Sequence, residues 1–102
     1  MTDILTPEEC ATMAEVRAGV DATDRAIAAL LATRFGYMRA AARIKPERGQ
    51  VRDKARKAQV IANAMASARA GHWPEQAAAD LWETLVEASI AYEFTRWDER
   101  QR

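Results

Sequence analysis

The sequence predicts an all-α chain of three helices, the first of them unusually long. Three observations lead there. No segment alternates apolar and polar residues with the period of a strand. Glycine and proline, the residues that punctuate a chain, number only four and three in 102. Mostly apolar residues also recur at a 3-4 spacing without interruption: Met13, Val16, Val20, Thr23, Ile27, Leu30, Arg34, Tyr37, Ala41 and Ile44. Composition agrees, with 23 alanines and only 7% aromatic residues. Alanine favours helix but buries little surface, so the core is expected to be thin. Self-association is a reasonable way to complete it.

The first helix is expected to open at Thr6-Pro7-Glu8-Glu9, which reads as an N-cap, a proline at the first helical position and early acids that suit the dipole. From there it runs roughly 35–40 residues, until Pro46 stops it. Residues 46–50 form a loop. The second helix runs from about Val51 to Ala70, with Val60, Ile61, Ala64 and Met65 on its apolar side. Gly71-His72-Trp73-Pro74 reads as a C-cap and turn. The third helix runs from about Pro74 to Glu99, carrying Leu81, Trp82, Leu85, Val86, Ile90, Phe94 and Trp97. A first helix of that length, about 57 Å at 1.5 Å per residue, is longer than the other two can cover. Its apolar seam must meet something else, and a second copy of the chain is the simplest candidate.

Length fits one domain spanning residues 1–102. Fifteen basic residues balance fifteen acidic ones, which argues against a general nucleic-acid binder. No apolar run approaches the ~18 residues needed to span a membrane, and the N-terminus MTDILTPEEC lacks the basic region and apolar core of a signal peptide. Cys10 is the sole cysteine and His72 the sole histidine, which leaves no intrachain disulfide and no ligand set for a structural zinc. A cytoplasmic protein without metal or cofactor is expected, one that binds neither nucleic acid nor membrane.

Charge is nevertheless unevenly placed. The stretch ARIKPERGQVRDKAR, residues 42–56, holds six of the fifteen basic residues. Arg34 sits in the seam itself, where a charged residue either snorkels, pairs with an acid of another helix or serves a ligand. Lys45 follows eleven residues later, about 20° away in helical rotation and about 16 Å along the axis, so the two could flank a small anion. Arg17 flanks the seam about 25 Å before Arg34, too far to serve the same pocket from the same chain. In an antiparallel dimer it could complete the partner's pocket; otherwise it is a surface residue. On the third helix Ser89 and Glu93 lie within the apolar stripe. Ser89 suits a helix crossing, whereas a carboxylate at 93 needs a cation or a proton. Asp53, Arg56 and Lys57 stand at i, i+3 and i+4, which an intrahelical ion pair would explain. No nucleophile-base arrangement and no glycine-rich phosphate loop appears. Positioned cations, a hydroxyl and a carboxyl suit a reaction governed by geometry and charge placement, without a covalent intermediate.

These residues resemble the all-helical chorismate mutases, including the related isochorismate-pyruvate lyases. The resemblance rests on TPEEC-x5-VR-x3-D-x2-D, TRFGYMRAAARIK, VRDKAR and SIAYEFTRW, in that order along nearly the whole chain. It implies an intertwined homodimer of three-helix chains with two shared sites, each taking an arginine from the partner. By position, Arg17 of the partner and Arg34 resemble the arginines that clamp the substrate's carboxylates. Lys45 resembles the lysine bridging a carboxylate and the ether oxygen of the breaking bond. Asp53 matches the contact to the ring hydroxyl, Arg56 a supporting arginine and Ser89 a carboxylate-binding serine. Glu93 stands where many members carry glutamine facing the ether oxygen. Lys57 departs from those mutases that carry a second acid there, and the loop 46–50 is short, as in the lyase branch.

The resemblance therefore implies a chorismate mutase of aromatic amino-acid biosynthesis acting on a small dicarboxylate, chorismate, with Lys45 and a protonated Glu93 stabilising charge on the ether oxygen. Isochorismate-pyruvate lyase, yielding salicylate and pyruvate, is the enzymatic alternative. A mutase for an amino analogue of chorismate is a third. Arg48 and Arg52 are expected to cover or steer, with Lys45 and Arg56 facing inward and Lys54 and Arg43 merely solvated. The competing class is a non-enzymatic helical dimer in which Arg34 and Glu93 simply pair.

Overall fold

A computed structural model describes residues 4–100. Its order is a 3-10 turn at Pro7–Glu9, helix α1 over Met13–Ile44, a second 3-10 turn at Arg48–Gln50, helix α2 over Lys54–Ala70 and helix α3 over Glu75–Glu99. No strand occurs among the described residues, as the lack of period-2 alternation predicts. Packing divides the chain into two units, Met1–Gly36 and Tyr37–Arg102, so α1 begins in one and ends in the other. No helix of the described residues is long and apolar enough to cross a membrane.

The start of α1 differs from expectation. Thr6-Pro7-Glu8-Glu9 does make a capping box, with Glu9 Oε1 accepting from Thr6 N at 2.9 Å and Thr6 Oγ1 at 2.8 Å, but only one 3-10 turn follows it. The helix starts at Met13 on a second box with the same T-x-x-E pattern. Thr12 Oγ1 accepts from the N–H of Glu15 at 3.2 Å, and Glu15 Oε1 accepts from the N–H groups of Ala11 and Thr12, each at 2.9 Å. The bonds donated to Oε1, that from Ala11 foremost and then those from Thr12, hold the Glu15 carboxyl below its ordinary range. α1 is thus 32 residues long, shorter than expected. Its seam positions are largely uncovered by the chain itself: Val20 and Ile27 are about half exposed, Leu30 69%.

In the second unit α1 ends as Pro46 requires. The Lys45 N–H closes the last turn on Ala41 O at 2.9 Å, and Pro46 offers no donor to continue. α2 begins at Lys54, three residues later than expected, because Arg48–Gln50 form their own turn and Asp53 caps the helix by accepting from the Arg56 N–H at 3.0 Å. At the far end Gly71 adopts φ −88°, and His72 takes the left-handed position at φ 62°. Space is tight at Gly71: a Cβ added there would lie 3.0 Å from Trp73 Cδ1, so the indole would have to shift. Trp73 N–H reaches back to Ala68 O at 3.0 Å, and Pro74 then opens α3.

α2 and α3 form a helical hairpin joined by this short turn, and they carry the core of the unit. Near the turn Ala64 and Ala68 meet Ala78, with Trp82 packed alongside; at the other end Val51, Val86 and Ile90 gather Val60, Trp82, Phe94 and Trp97. Burying Val86 and Ile90 contributes roughly 1.5–3 kcal/mol each, whereas the alanines contribute close approach more than area. Leu81, read as part of the apolar face, is instead 59% exposed: the stripe facing α2 passes through Ala78, Trp82 and Val86 and leaves Leu81 to one side.

Candidate active site

The stripe that turns α3 toward α2 also carries Ser89 and Glu93, both 3% exposed. Glu93 needs a cation or a proton there, and the fold supplies a cation. Lys45 Nζ lies 2.6 Å from Glu93 Oε1. Oε1 makes no hydrogen bond of good geometry, so the contact is a Coulombic pair rather than a well-directed bond. The lysine's side chain is 30% exposed against 5% for the glutamate. An ammonium carries three donors, so a partly exposed one beside a buried acid can still take a ligand oxygen.

Local structure sets Lys45 in place. It is the first residue after α1, its N–H spent on Ala41 O and its carbonyl accepting from Trp97 Nε1 at 3.0 Å and Arg100 Nη1 at 2.6 Å. Lys45 also lines an open cleft of about 710 Å³, with Pro46, Arg52, Asp53 and Lys54. Lys45 and Asp53 thus share one cleft, and Glu93 joins them through Lys45. Ser89, one turn before Glu93, donates from Oγ to Leu85 O at 2.6 Å.

Other expected residues stand differently. Arg56 is exposed, with Nη1 on Gln59 Oε1 at 2.7 Å, and it does not line the cleft, contrary to the inward-facing expectation. The intrahelical ion pair of Asp53, Arg56 and Lys57 does not form, because Asp53 is occupied as the α2 cap and Lys57 reaches across to α3. There Lys57 Nζ meets Glu83 Oε1 and Glu87 Oε2, both at 2.8 Å. Arg48 is committed to Asp98 at 2.8 and 3.2 Å and lies 4.4 Å over the Phe94 ring, so it braces the turn against α3 instead of covering the site. Lys54, expected to be merely solvated, is exposed but borders the cleft. Arg17, exposed, and Arg34, half-buried, lie on the part of α1 within the first unit. Lys45, Asp53, Arg56, Ser89 and Glu93 belong to the second.

Three residues of consequence were not singled out from sequence. Glu87 binds Arg52 bidentately at 2.9 and 3.0 Å as well as Lys57, and these cations, Arg52 foremost, hold its carboxyl down at about 2. Lys57 is raised in turn, first by Glu83 and then by Glu87. This network ties the α2 start to α3 beside the cleft and fixes Arg52 at its rim. Trp97 was read as an apolar ring, yet its N–H is the polar handle that holds Lys45. Arg100 carried no signal beyond a basic residue after a helix end.

Arranged this way, the residues present a partly exposed cation backed by a buried carboxyl group, with a second carboxylate on the capping residue Asp53, which lines the same cleft. Such a set can bind a small anion with a hydroxyl and stabilise charge that develops on an oxygen near Lys45. Comparison with known families gives a match to the chorismate mutase type II model over residues 16–94, which contains all seven expected site residues and stops short of Trp97 and Arg100. A search of curated proteins found no match.

Proposed function

The chain belongs to the chorismate mutase type II family, and we propose on that footing that it converts chorismate to prephenate, a step of aromatic amino-acid biosynthesis, in the cytoplasm. The observation that carries this reading is the Lys45–Glu93 pair, a cation 2.6 Å from a buried carboxyl at the edge of the cleft. In the rearrangement the ether C–O bond breaks as a new C–C bond forms, with no proton or electron to transfer. The protein's task is then to hold the compact diaxial conformer and to stabilise negative charge growing on the ether oxygen. Lys45 supplies the cation. Once a substrate oxygen has claimed the ammonium, a protonated Glu93 adds a second donor to the ether oxygen. Asp53 takes the ring hydroxyl from the α2 cap, while Ser89 and Arg34 take carboxylate oxygens.

Arg17 completes the site from a second copy. In support, Leu30 and Ile44 are 69% and 71% exposed in the single chain, and Val20 and Ile27 about half, a stripe that an intertwined homodimer would cover. The alternative is isochorismate-pyruvate lyase. It is favoured by Lys57, which faces Glu83 and Glu87 where a second acid for the hydroxyl would otherwise stand, and by the short connection after Pro46. An amino analogue of chorismate would fit the same cations. One assay decides: the protein is given chorismate and isochorismate in turn, and prephenate is resolved from salicylate and pyruvate. Prephenate from chorismate is expected. Salicylate with pyruvate would establish the lyase, and no turnover of either would leave a non-enzymatic helical module.

A further inference from the structure

We infer that Trp97 and Arg100 are positioning residues that fix the catalytic cation by clamping the backbone of Lys45; this rests on the functional reading above. A helix ends with carbonyls that have no N–H in the next turn to receive, and Pro46 removes one more donor at that point. Lys45 is the first residue beyond the last turn of α1, where the chain is ordinarily free to fray. Here its carbonyl takes two donors at once, Trp97 Nε1 at 3.0 Å and Arg100 Nη1 at 2.6 Å. The same guanidinium nitrogen reaches Ala42 O at 2.7 Å and Arg43 O at 3.2 Å, so one side chain gathers the open carbonyls of the final turn. Its positive charge also suits the negative end of the helix. Arg100 is itself held, 4.9 Å over the Trp97 ring, and Trp97 is packed on the core of Val51, Val86 and Ile90.

The direction in which Nζ points follows from the Cα–Cβ bond of Lys45, and that bond is set by the peptide planes on either side. The N–H is fixed on Ala41 O and the carbonyl by the clamp, so both planes are determined. Trp97 lies one turn beyond Glu93 on α3. The element that carries the buried acid therefore also carries the group that orients its cation, and the two are set by one helix. Neither Trp97 nor Arg100 is within the matched residues 16–94.

The clamp predicts a loss in turnover more than in substrate affinity. Trp97→Phe keeps the ring and removes the N–H; Arg100→Ala removes the guanidinium. Each should lower kcat about 10-fold or more with a smaller change in KM, since misplacing a catalytic group by about 1 Å costs up to ~10²-fold. Arg100→Lys should recover part of the loss, because an ammonium still donates to carbonyls. Arg96→Ala, which deletes a neighbouring arginine paired with Glu99, should leave kcat unchanged and controls for charge. Amide hydrogen exchange provides a readout independent of turnover: the Lys45 N–H should exchange faster in Trp97→Phe and Arg100→Ala, while amides of the α2–α3 hairpin keep their protection. Unchanged Lys45 exchange in both variants would overturn the clamp whether or not the protein is active. So would unchanged kcat in both variants of an active enzyme. A wild-type protein that turns over neither substrate would overturn the functional reading alone, with the exchange result still deciding the clamp.

Discussion

Lys45 and Glu93 are close in space and unequal in environment, and this inequality decides what each substitution should do. Glu93 is almost fully buried while Lys45 keeps a third of its side chain in water. Deleting the lysine leaves a buried carboxylate without its cation, which is costly unless the group takes up a proton. Lys45→Ala should therefore lose turnover by ~10²–10³-fold or more, as expected for a preorganised cation at a developing charge. The double variant Lys45→Ala/Glu93→Gln removes the buried charge, so it should stay folded by circular dichroism and remain as inactive. Near-normal turnover in either would remove Lys45 from the site. Glu93→Gln alone tests the other half. An amide of the same shape is a permanent donor to the ether oxygen, so Glu93→Gln should keep activity, whereas Glu93→Ala should lose much of it. A dead Glu93→Gln would reduce Glu93 to a holder of Lys45.

Between elements the decisive feature is the ionic zipper joining the start of α2 to α3 through Arg52, Lys57, Glu83 and Glu87. Glu87 is depressed from 4.5 to about 2, so folding is favoured by its ionised form above the ordinary carboxylate range, and that contribution is lost as pH falls toward 2. Glu87→Gln should accordingly lower the urea midpoint at neutral pH and approach wild type on acidification below 4.5. A deficit that persists unchanged in acid would mean that Glu87 stabilises through packing. This zipper was not legible in sequence. Spacing within one helix offers Lys57 a local partner at Asp53, while its actual partners lie 26 and 30 residues away. Local punctuation was legible where one signal stood alone, as at Pro46 and at the start of α3. It misled where two competed: Thr6-Pro7-Glu8-Glu9 outshone Thr12-Met13-Ala14-Glu15, and Val51 was drawn into a helix that waits for the Asp53 cap. Glu93 was legible because a charge in an apolar stripe demands a partner; which cation answered depended on where the end of α1 packs. The Trp97 and Arg100 donors were illegible for the same reason, since their acceptors are main-chain carbonyls that no side-chain pattern encodes.

For the whole molecule, the exposed seam of α1 and the placement of Arg17 lead to one further test of the shared-site proposal. Arg17→Ala and Arg34→Ala should each be nearly inactive, and co-refolding the two should restore part of the activity, because one pocket of a mixed dimer then holds both arginines intact. Proven heterodimers without recovery would confine Arg17 to its own chain. The alanine core carries a different consequence. Among the described residues no side chain larger than alanine is completely enclosed, and α2 and α3 meet at Ala68 and Ala78, each 0% exposed. Most proteins are vulnerable to losing volume inside; this one has little to lose and no room to gain. Its intolerant positions are therefore its smallest, and a methyl group added at Ala68 or Ala78 would wedge apart the hairpin that carries Glu93. Substitutions that enlarge Ala68 or Ala78 should therefore cost this fold more than exchanges among core residues such as Val86 and Ile90 that conserve volume.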